Sequence, residues 1–185
     1  MKKSSNKEST TYVALLRGIN VGGNAKVEMG KLKALFEKLG FEHVVTYINS
    51  GNVIFSDATY TREELIQRIE KGIEKAFKLK IRVLVRTAKE IEKLCKAVPA
   101  QWVNDASMKT DVLFLWDDIA NPQVIGSIAA NPDVDTLSYI SGAVVWHIDL
   151  AHYSKSGMHK FIGTLLYKKM TARNINTVRR VYGMM

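Results

Sequence analysis

A single cysteine, Cys95, stands in a chain of 185 residues, so no internal disulfide can form. Within a helical apolar pattern it reads as a small core side chain. Apolar runs are short. Val112-Leu113-Phe114-Leu115-Trp116 is among the longest, far below the roughly 20 residues that cross a bilayer, and no membrane partner is expected. Met1-Lys2-Lys3 resembles the positive start of a signal peptide. Residues 4–11 are polar, however, and neither a long apolar stretch nor a small-residue cleavage site follows. A cytoplasmic protein is predicted. Acid is missing from the last segment: residues 150–185 carry 7 basic side chains and no Asp or Glu.

Recognisable catalytic signatures are scarce as well. Gly18 and Gly23 have the spacing of a Walker loop, but Asn24 and Ala25 stand where Lys and Ser or Thr should coordinate phosphate and Mg²⁺. The dinucleotide pattern G-x-G-x-x-G fails because Asn20 lies two residues after Gly18. Ser50 lacks the G-x-S-x-G elbow of a hydrolase. His147, His152 and His159 with Asp149 match no ligand spacing, so neither a metal nor another cofactor is expected.

What remains is an ordinary globular composition, 46% apolar and 24% charged, with a formal charge of +9. Wholesale disorder is excluded. The charge is patterned: residues 1–86 carry 16 basic and 9 acidic side chains, residues 87–149 carry 4 and 9. The basic half and the basic tail form either a phosphate-attracting surface or a solvated face, and the tail could instead dock on the acidic middle.

Residues 12–16 form a short apolar run, and Met29, Leu32, Leu35, Phe36 and Leu39 recur at helical spacing up to Gly40. Two β-rich runs, 44–48 and 53–55, flank Asn49-Ser50-Gly51-Asn52, which closes a hairpin. Thr61 and Glu64 make a capping box for a helix with Leu65, Ile66, Ile69, Ile73, Ala76 and Phe77 on one face. Ile81, Val83 and Val85 alternate with Arg82, Leu84 and Arg86 as in a half-buried strand. The order is βαββαβ, the ferredoxin-like split pattern. Thr87 and Glu90 cap a further helix. A strand at 112–116, a helix opened by Asn121-Pro122, a hairpin at Ser141-Gly142 and helices at about 157–169 and 174–182 complete the chain. The prediction is an α+β protein of two ferredoxin-like halves: a disordered leader at 1–10, an N-terminal half at 11–86 and a C-terminal half at 87–185. The second half is expected to be incomplete, with extra C-terminal helices in place of its last strand. Tyr47-Ile48-Asn49-Ser50-Gly51-Asn52-Val53 echoes Tyr139-Ile140-Ser141-Gly142-Ala143-Val144 91 residues later, through duplication or through the independent origin of Ser-Gly turns.

Two segments concentrate donors and cations. In Arg17-Gly18-Ile19-Asn20-Val21-Gly22-Gly23-Asn24-Ala25-Lys26, glycines let backbone N–H groups converge before a helix N-terminus, and Arg17 and Lys26 add charge. The alternative is that the glycines only permit a compact turn and Arg17 pairs with an acid. In Thr171-Ala172-Arg173-Asn174-Ile175-Asn176-Thr177-Val178, Thr171 or Asn174 can cap a helix. An Arg at a helix start calls for a fixed anionic partner, either internal or bound.

These segments, taken with Leu15-Leu16 and with Thr46-Tyr47-Ile48-Asn49-Ser50-Gly51-Asn52-Val53-Ile54-Phe55, resemble the bacterial family catalogued as domain of unknown function 1697. The likeness runs over residues 11–182, with Ile175 standing where an aromatic is common. It implies an α+β fold of two ferredoxin-like halves, and it brings no reaction, cofactor or catalytic residue.

Three functions compete. The first is binding of a phosphate-bearing ligand, a nucleotide-like metabolite or nucleic acid, in a basic cleft between the halves. Its ligand-binding residues would be Arg17, Asn20, Gly22, Gly23, Lys26, Asn49, Ser50, Asn52, Arg173, Asn174 and Thr177. The second is an enzyme acting on a small phosphorylated or carboxylated metabolite, with an acid such as Asp111 moving the proton. The third is a non-catalytic interaction or homodimerisation module using an exposed edge strand.

Overall fold

The computed structural model describes residues 8–22 and 25–185. Most of the expected leader, residues 1–7, lies outside the described residues, as do Gly23 and Asn24. The chain divides into two compact units, one running to Ala88 and including Met184–Met185, the other Lys89–Gly183.

In the first unit the apolar run at 12–16 becomes β1 (Thr10–Leu16), the inner strand of an antiparallel sheet. It is followed by α1 (Met29–Lys38), β2 (Glu42–Tyr47), β3 (Asn52–Asp57), α2 (Arg62–Phe77) and β4 (Val83–Thr87), with strand order β2-β3-β1-β4. β1 pairs antiparallel with both β3 and β4, so its two edges are satisfied and its backbone is fixed. Ala14, Leu16, Val53, Phe55, Val83 and Val85 present one face to Leu32 and Phe36 of α1 and to Leu65, Ile69 and Ile73 of α2. The expected capping box forms: the Glu64 N–H donates to the Thr61 hydroxyl, and the Thr61 N–H donates to the Glu64 carboxylate at 2.7 Å. Gly40 ends α1 in the left-handed region at φ +89°, where a side chain would be strained. β4 departs from the half-buried expectation. Val83, Leu84, Val85 and Arg86 are all buried, so alternation in the sequence did not track exposure there.

The second unit has α3 (Ala88–Ala97), β5 (Met108–Leu115), β6 (Thr136–Ile140), β7 (Ala143–Asp149), α4 (Met158–Phe161), β8 (Met170–Asn174) and α5 (Ile175–Tyr182). Its antiparallel sheet has the order β6-β7-β5-β8. The expected incompleteness is overturned. Residues 170–174 form a strand that pairs with β5 from Asp111↔Asn174 to Leu115↔Met170. The strand escaped detection because it is five residues long and carries polar Thr171, Arg173 and Asn174, so no apolar alternation shows; pairing with β5 decides it. The helix expected after Asn121-Pro122 is a 3₁₀ turn, Pro122–Ser127, and the one expected at 157–169 shrinks to α4 and a second 3₁₀ turn, Tyr167–Lys169.

Leu113, Leu115, Val144 and Trp146 form a core with Val124, Ile128, Met158, Phe161 and Met170. The chain over this core is held by one carboxylate. Asp135 accepts from Trp146 Nε1 (2.9 Å), Ser156 Oγ (2.6 Å) and the N–H groups of Gly157 and Asn131 (2.8 Å each). The carbonyls that follow α3 are gathered by Arg179 of α5, which donates to Pro99 and Trp102 at 2.8 Å each and to Ala100 at 3.2 Å. That guanidinium ties the segment between α3 and β5 to the last helix. Among the described residues no helix is long and apolar enough to cross a membrane.

Candidate functional site

Within the first unit the glycine loop after β1 and the β2–β3 turn meet directly. The Leu16 N–H donates to the Gly51 carbonyl at 2.9 Å, and the Arg17 N–H to the Arg82 carbonyl at 3.0 Å. From there the chain bends through left-handed Gly18 (φ +69°), Asn20 (+54°), Gly22 (+60°) and Ala25 (+48°). Asn20 is the staple. Its Oδ1 accepts from the Val27 N–H at 2.8 Å, and its Nδ2 donates to the carbonyls of Val27 and Asn49, both at 2.9 Å. Asn is among the few side-chain-bearing residues that tolerate the left-handed region, so backbone and amide chemistry select the same residue.

The turn itself is built tightly. Gly51 sits at φ +75°, and a Cβ there would lie 2.8 Å from both Leu16 Cβ and Ile19 Cδ1. Asn52 is fully buried and donates to the Tyr47 carbonyl and to Ser50 Oγ at 3.1 and 3.0 Å. Ile48, exposed at the turn, also adopts positive φ (+48°), a strained setting for a β-branched residue. Asn52 and Ser50 therefore bond within the turn, and Asn20 locks the loop.

Beside this junction lies a cavity of about 640 Å³ lined by Asn20, Lys26, Val27, Glu28, Met29, Lys31, Asn49 and Phe77. It opens at the start of α1, whose N-cap residue Glu28 makes no side-chain cap, and no acidic residue follows in the first turn. The Glu28 carboxylate bonds Lys31 at 2.8 Å instead, and this bond holds the Lys31 ammonium above its ordinary pKa. Lys26 is exposed. The walls thus combine ammonium groups, the Glu28 carboxylate and amides with the apolar surfaces of Val27, Met29 and Phe77. Sequence reasoning found Asn20, Lys26 and Asn49 and missed the rest. Phe77 stands on the apolar face of α2, which signals core, and Glu28 and Lys31 carry no signal beyond their nearness to a helix start.

The remaining expected residues lie in the second unit, which repeats the same hydrogen-bond plan. The Leu115 N–H donates to the Gly142 carbonyl at 3.0 Å and the Trp116 N–H to the Lys169 carbonyl at 3.3 Å. Ser141 and Gly142, at φ +48° and +79°, form a two-residue turn of the primed kind between Ile140 and Ala143. Asn174 caps α5 by accepting the Thr177 N–H at 2.7 Å. Arg173 is buried, and burial pushes its guanidinium down to about 10. Its Nη1 donates to Thr171 Oγ1 at 3.1 Å and to the Ala172 carbonyl at 2.7 Å.

Two polar clusters lie toward the Met108 end of β5, one around the candidate acid Asp111 and one around His147. Asp111 Oδ2 lies 3.3 Å from Lys109 Nζ, which also stands 3.5 Å from the Tyr153 hydroxyl. Burial raises the Asp111 carboxyl despite Lys109 and an Asn104 hydrogen bond, so this candidate acid holds its proton above the usual range. The His147 ring stacks flat on Trp102 at 4.1 Å and hydrogen-bonds Thr110 Oγ1 at 2.9 Å; burial lowers its pKa while Asp149 pulls the other way. Among the described residues no group of three or more His, Cys, Asp or Glu is arranged to hold a metal ion.

No curated protein matches the chain. Among solved structures it is similar to the conserved bacterial protein SP0830 from Streptococcus pneumoniae, with 28% identity, a TM-score of 0.82 and coverage of 95% of this chain and 98% of that one. Residues 9–146 match the family described as Protein of unknown function (DUF1697), and the chain belongs to that family.

Proposed function

We propose that the protein binds a phosphate-bearing ligand of the nucleotide-like kind at the cavity beside the glycine loop. The observation that carries this reading is the Asn20 staple. It holds the loop and the β2–β3 turn against each other and so shapes a cavity lined by Lys26, Lys31, Asn49 and Phe77 before any ligand arrives. Pre-formed sites waste little binding energy on ordering. The α1 N-terminus, which has no side-chain cap among the described residues, supplies main-chain donors and a positive dipole end for an anion. Lys26 supplies charge beside the Glu28–Lys31 pair, while Phe77, Met29 and Val27 offer a surface suited to a base or another flat apolar group. A sequence pI of about 9.6 favours encounter with anions, nucleic acid included.

The finer fold reading belongs to the same proposal. Each sheet has the first strand of its unit inside, flanked by the third and fourth, and the first unit follows βαββαβ order, which supports a pair of ferredoxin-like halves.

The test is a titration with a nucleoside triphosphate, inorganic phosphate and single- and double-stranded oligonucleotides at two salt concentrations. Binding should weaken with salt and fall about tenfold for Lys26→Ala. Absence of binding to every probe at low salt would remove the proposal.

A further inference from the structure

α1 and α2 pack side by side, and the seam between them opens into a groove of about 530 Å³. Ala34, Leu35, Leu39 and Ala76 floor it, with Lys38 and Lys75 among its lining residues. Small residues make the recess. Gly72 stands inside α2 although glycine costs a helix about 1 kcal/mol relative to alanine, and a Cβ there would come within 3.3 Å of Leu35 Cδ1 and Leu39 Cδ1. Leu35 on α1 and Leu39 at its C-cap are four residues apart, so the floor repeats at one helical turn, the spacing that receives i and i+4 side chains of another helix.

The charge around the groove is one-sided. An adjoining depression gathers Lys71, Lys75, Lys78 and Lys80 around Glu74. Glu74 faces Lys80 at 3.8 Å, and Glu28 takes Lys31 at 2.8 Å. Lys38, Lys71, Lys75 and Lys78 make no ion pair among the described residues. Shape selects between anionic partners. A bilayer takes up apolar side chains that project, and among the described residues the exposed large hydrophobic ones are Val21, Val45, Ile48, Ile162 and Leu165, none of which lines this groove. Leu35 and Leu39 are recessed and half-buried, a surface that receives side chains from outside.

We propose that the α1–α2 groove docks an acidic amphipathic helix of a partner protein, with its apolar residues on Leu35, Leu39 and Ala76 and its carboxylates on Lys38 and Lys75. This surface is independent of the phosphate reading, and the test avoids Lys31 because that residue lines both cavities.

The probe is a fluorescein-labelled synthetic helix of leucine and glutamate, with leucines at every third and fourth position, titrated at low and high salt. Saturable binding that weakens with salt is expected. The Lys38→Glu, Lys75→Glu double variant should lose about tenfold in affinity while keeping the thermal melt of the parent. Methyl resonances of Leu35, Leu39 and Ala76 should shift on binding. A scrambled peptide of the same composition should bind about tenfold more weakly, since only the helical stripe fits the floor. The proposal is overturned by no saturable binding at low salt, by equal affinity for the scrambled peptide, by a double variant that binds like the parent, or by preferential retention on phosphatidylserine vesicles.

Discussion

The side-chain amide of Asn20 donates to the main-chain carbonyl of Asn49 across 2.9 Å, joining two segments that lie 29 residues apart in sequence. The same carboxamide satisfies both backbone groups of Val27, so three hydrogen bonds depend on one side chain. Asn20→Ala removes all three and places a Cβ-bearing residue without Asn's local bonding at φ +54°. A loss of about 2 kcal/mol in denaturant unfolding is expected. Asn20→Asp keeps the acceptor for the Val27 N–H and loses both donors, so it should fall between the two. Equal stability of all three proteins would show that the junction holds without the staple.

Gly18 and Gly51 share the left-handed backbone and differ in their surroundings, which makes them a matched pair. A Cβ on Gly18 meets nothing within 4 Å, whereas one on Gly51 meets Leu16 Cβ and Ile19 Cδ1 at 2.8 Å. Gly18→Ala should therefore cost about 1–2 kcal/mol, from backbone strain alone. Gly51→Ala should cost more by about 1–3 kcal/mol, because a well-packed contact must open as well. Thermal unfolding of the two variants measures the difference, and equal losses would leave the packing argument without support.

How much of this was legible in the sequence follows from where each signal resides. Thr61 and Glu64, three residues apart, form a cap that needs no tertiary partner, and it appears as read. The Ser141-Gly142 turn is equally local. β8 is the opposite case: Thr171 and Arg173 become strand residues only because β5 offers an unpaired edge, a fact stored nearly 60 positions upstream. Asn20 and Asn49 carry amides that suit a ligand and the backbone equally well, and nothing local in the sequence decides between the two. The hydrogen bonds give Asn20 to the backbone and leave its neighbour Lys26 exposed. Phe77 lines the same cavity from the end of α2, a placement set by how α2 lies on the sheet.

Asp135 links four donors from β7 and from the segments around Asn131 and Ser156, two of them the indole N–H of Trp146 and the hydroxyl of Ser156. Burial alone would raise its pKa, but the bonds from Ser156, Asn131, Trp146 and Gly157 outweigh it, and the carboxyl lies below its ordinary value. A depressed folded value means that its stabilisation is present above the unfolded pKa of about 3.9 and is lost as pH falls through the lower folded value. Acid unfolding followed by tryptophan fluorescence should show this loss below about pH 4. Asp135→Ala, which strands buried donors, should cost about 3 kcal/mol or more at neutral pH. A variant as stable as the parent would mean that the donors find water or other acceptors.

Asp111 has the opposite sign and so separates burial from pairing. Burial raises its carboxyl, while the Lys109 ammonium at 3.3 Å and the Asn104 amide pull it down, and burial prevails. A raised folded value favours the protonated folded state. The contribution to stability is therefore complete below the unfolded pKa of about 3.9 and declines as pH rises through the folded value. Asp111→Asn keeps the shape without the charge, so the stability curve should flatten across that interval. At pH 7 the variant should lie within about 1 kcal/mol of the parent, since the carboxylate's burial cost and its attraction to Lys109 disappear together. Carboxyl NMR should place the Asp111 midpoint above the ordinary value. A midpoint below it would show that Lys109 dominates, and Asp111 would then hold no proton to donate in the pH range where an enzyme acting on a phosphorylated metabolite would need one.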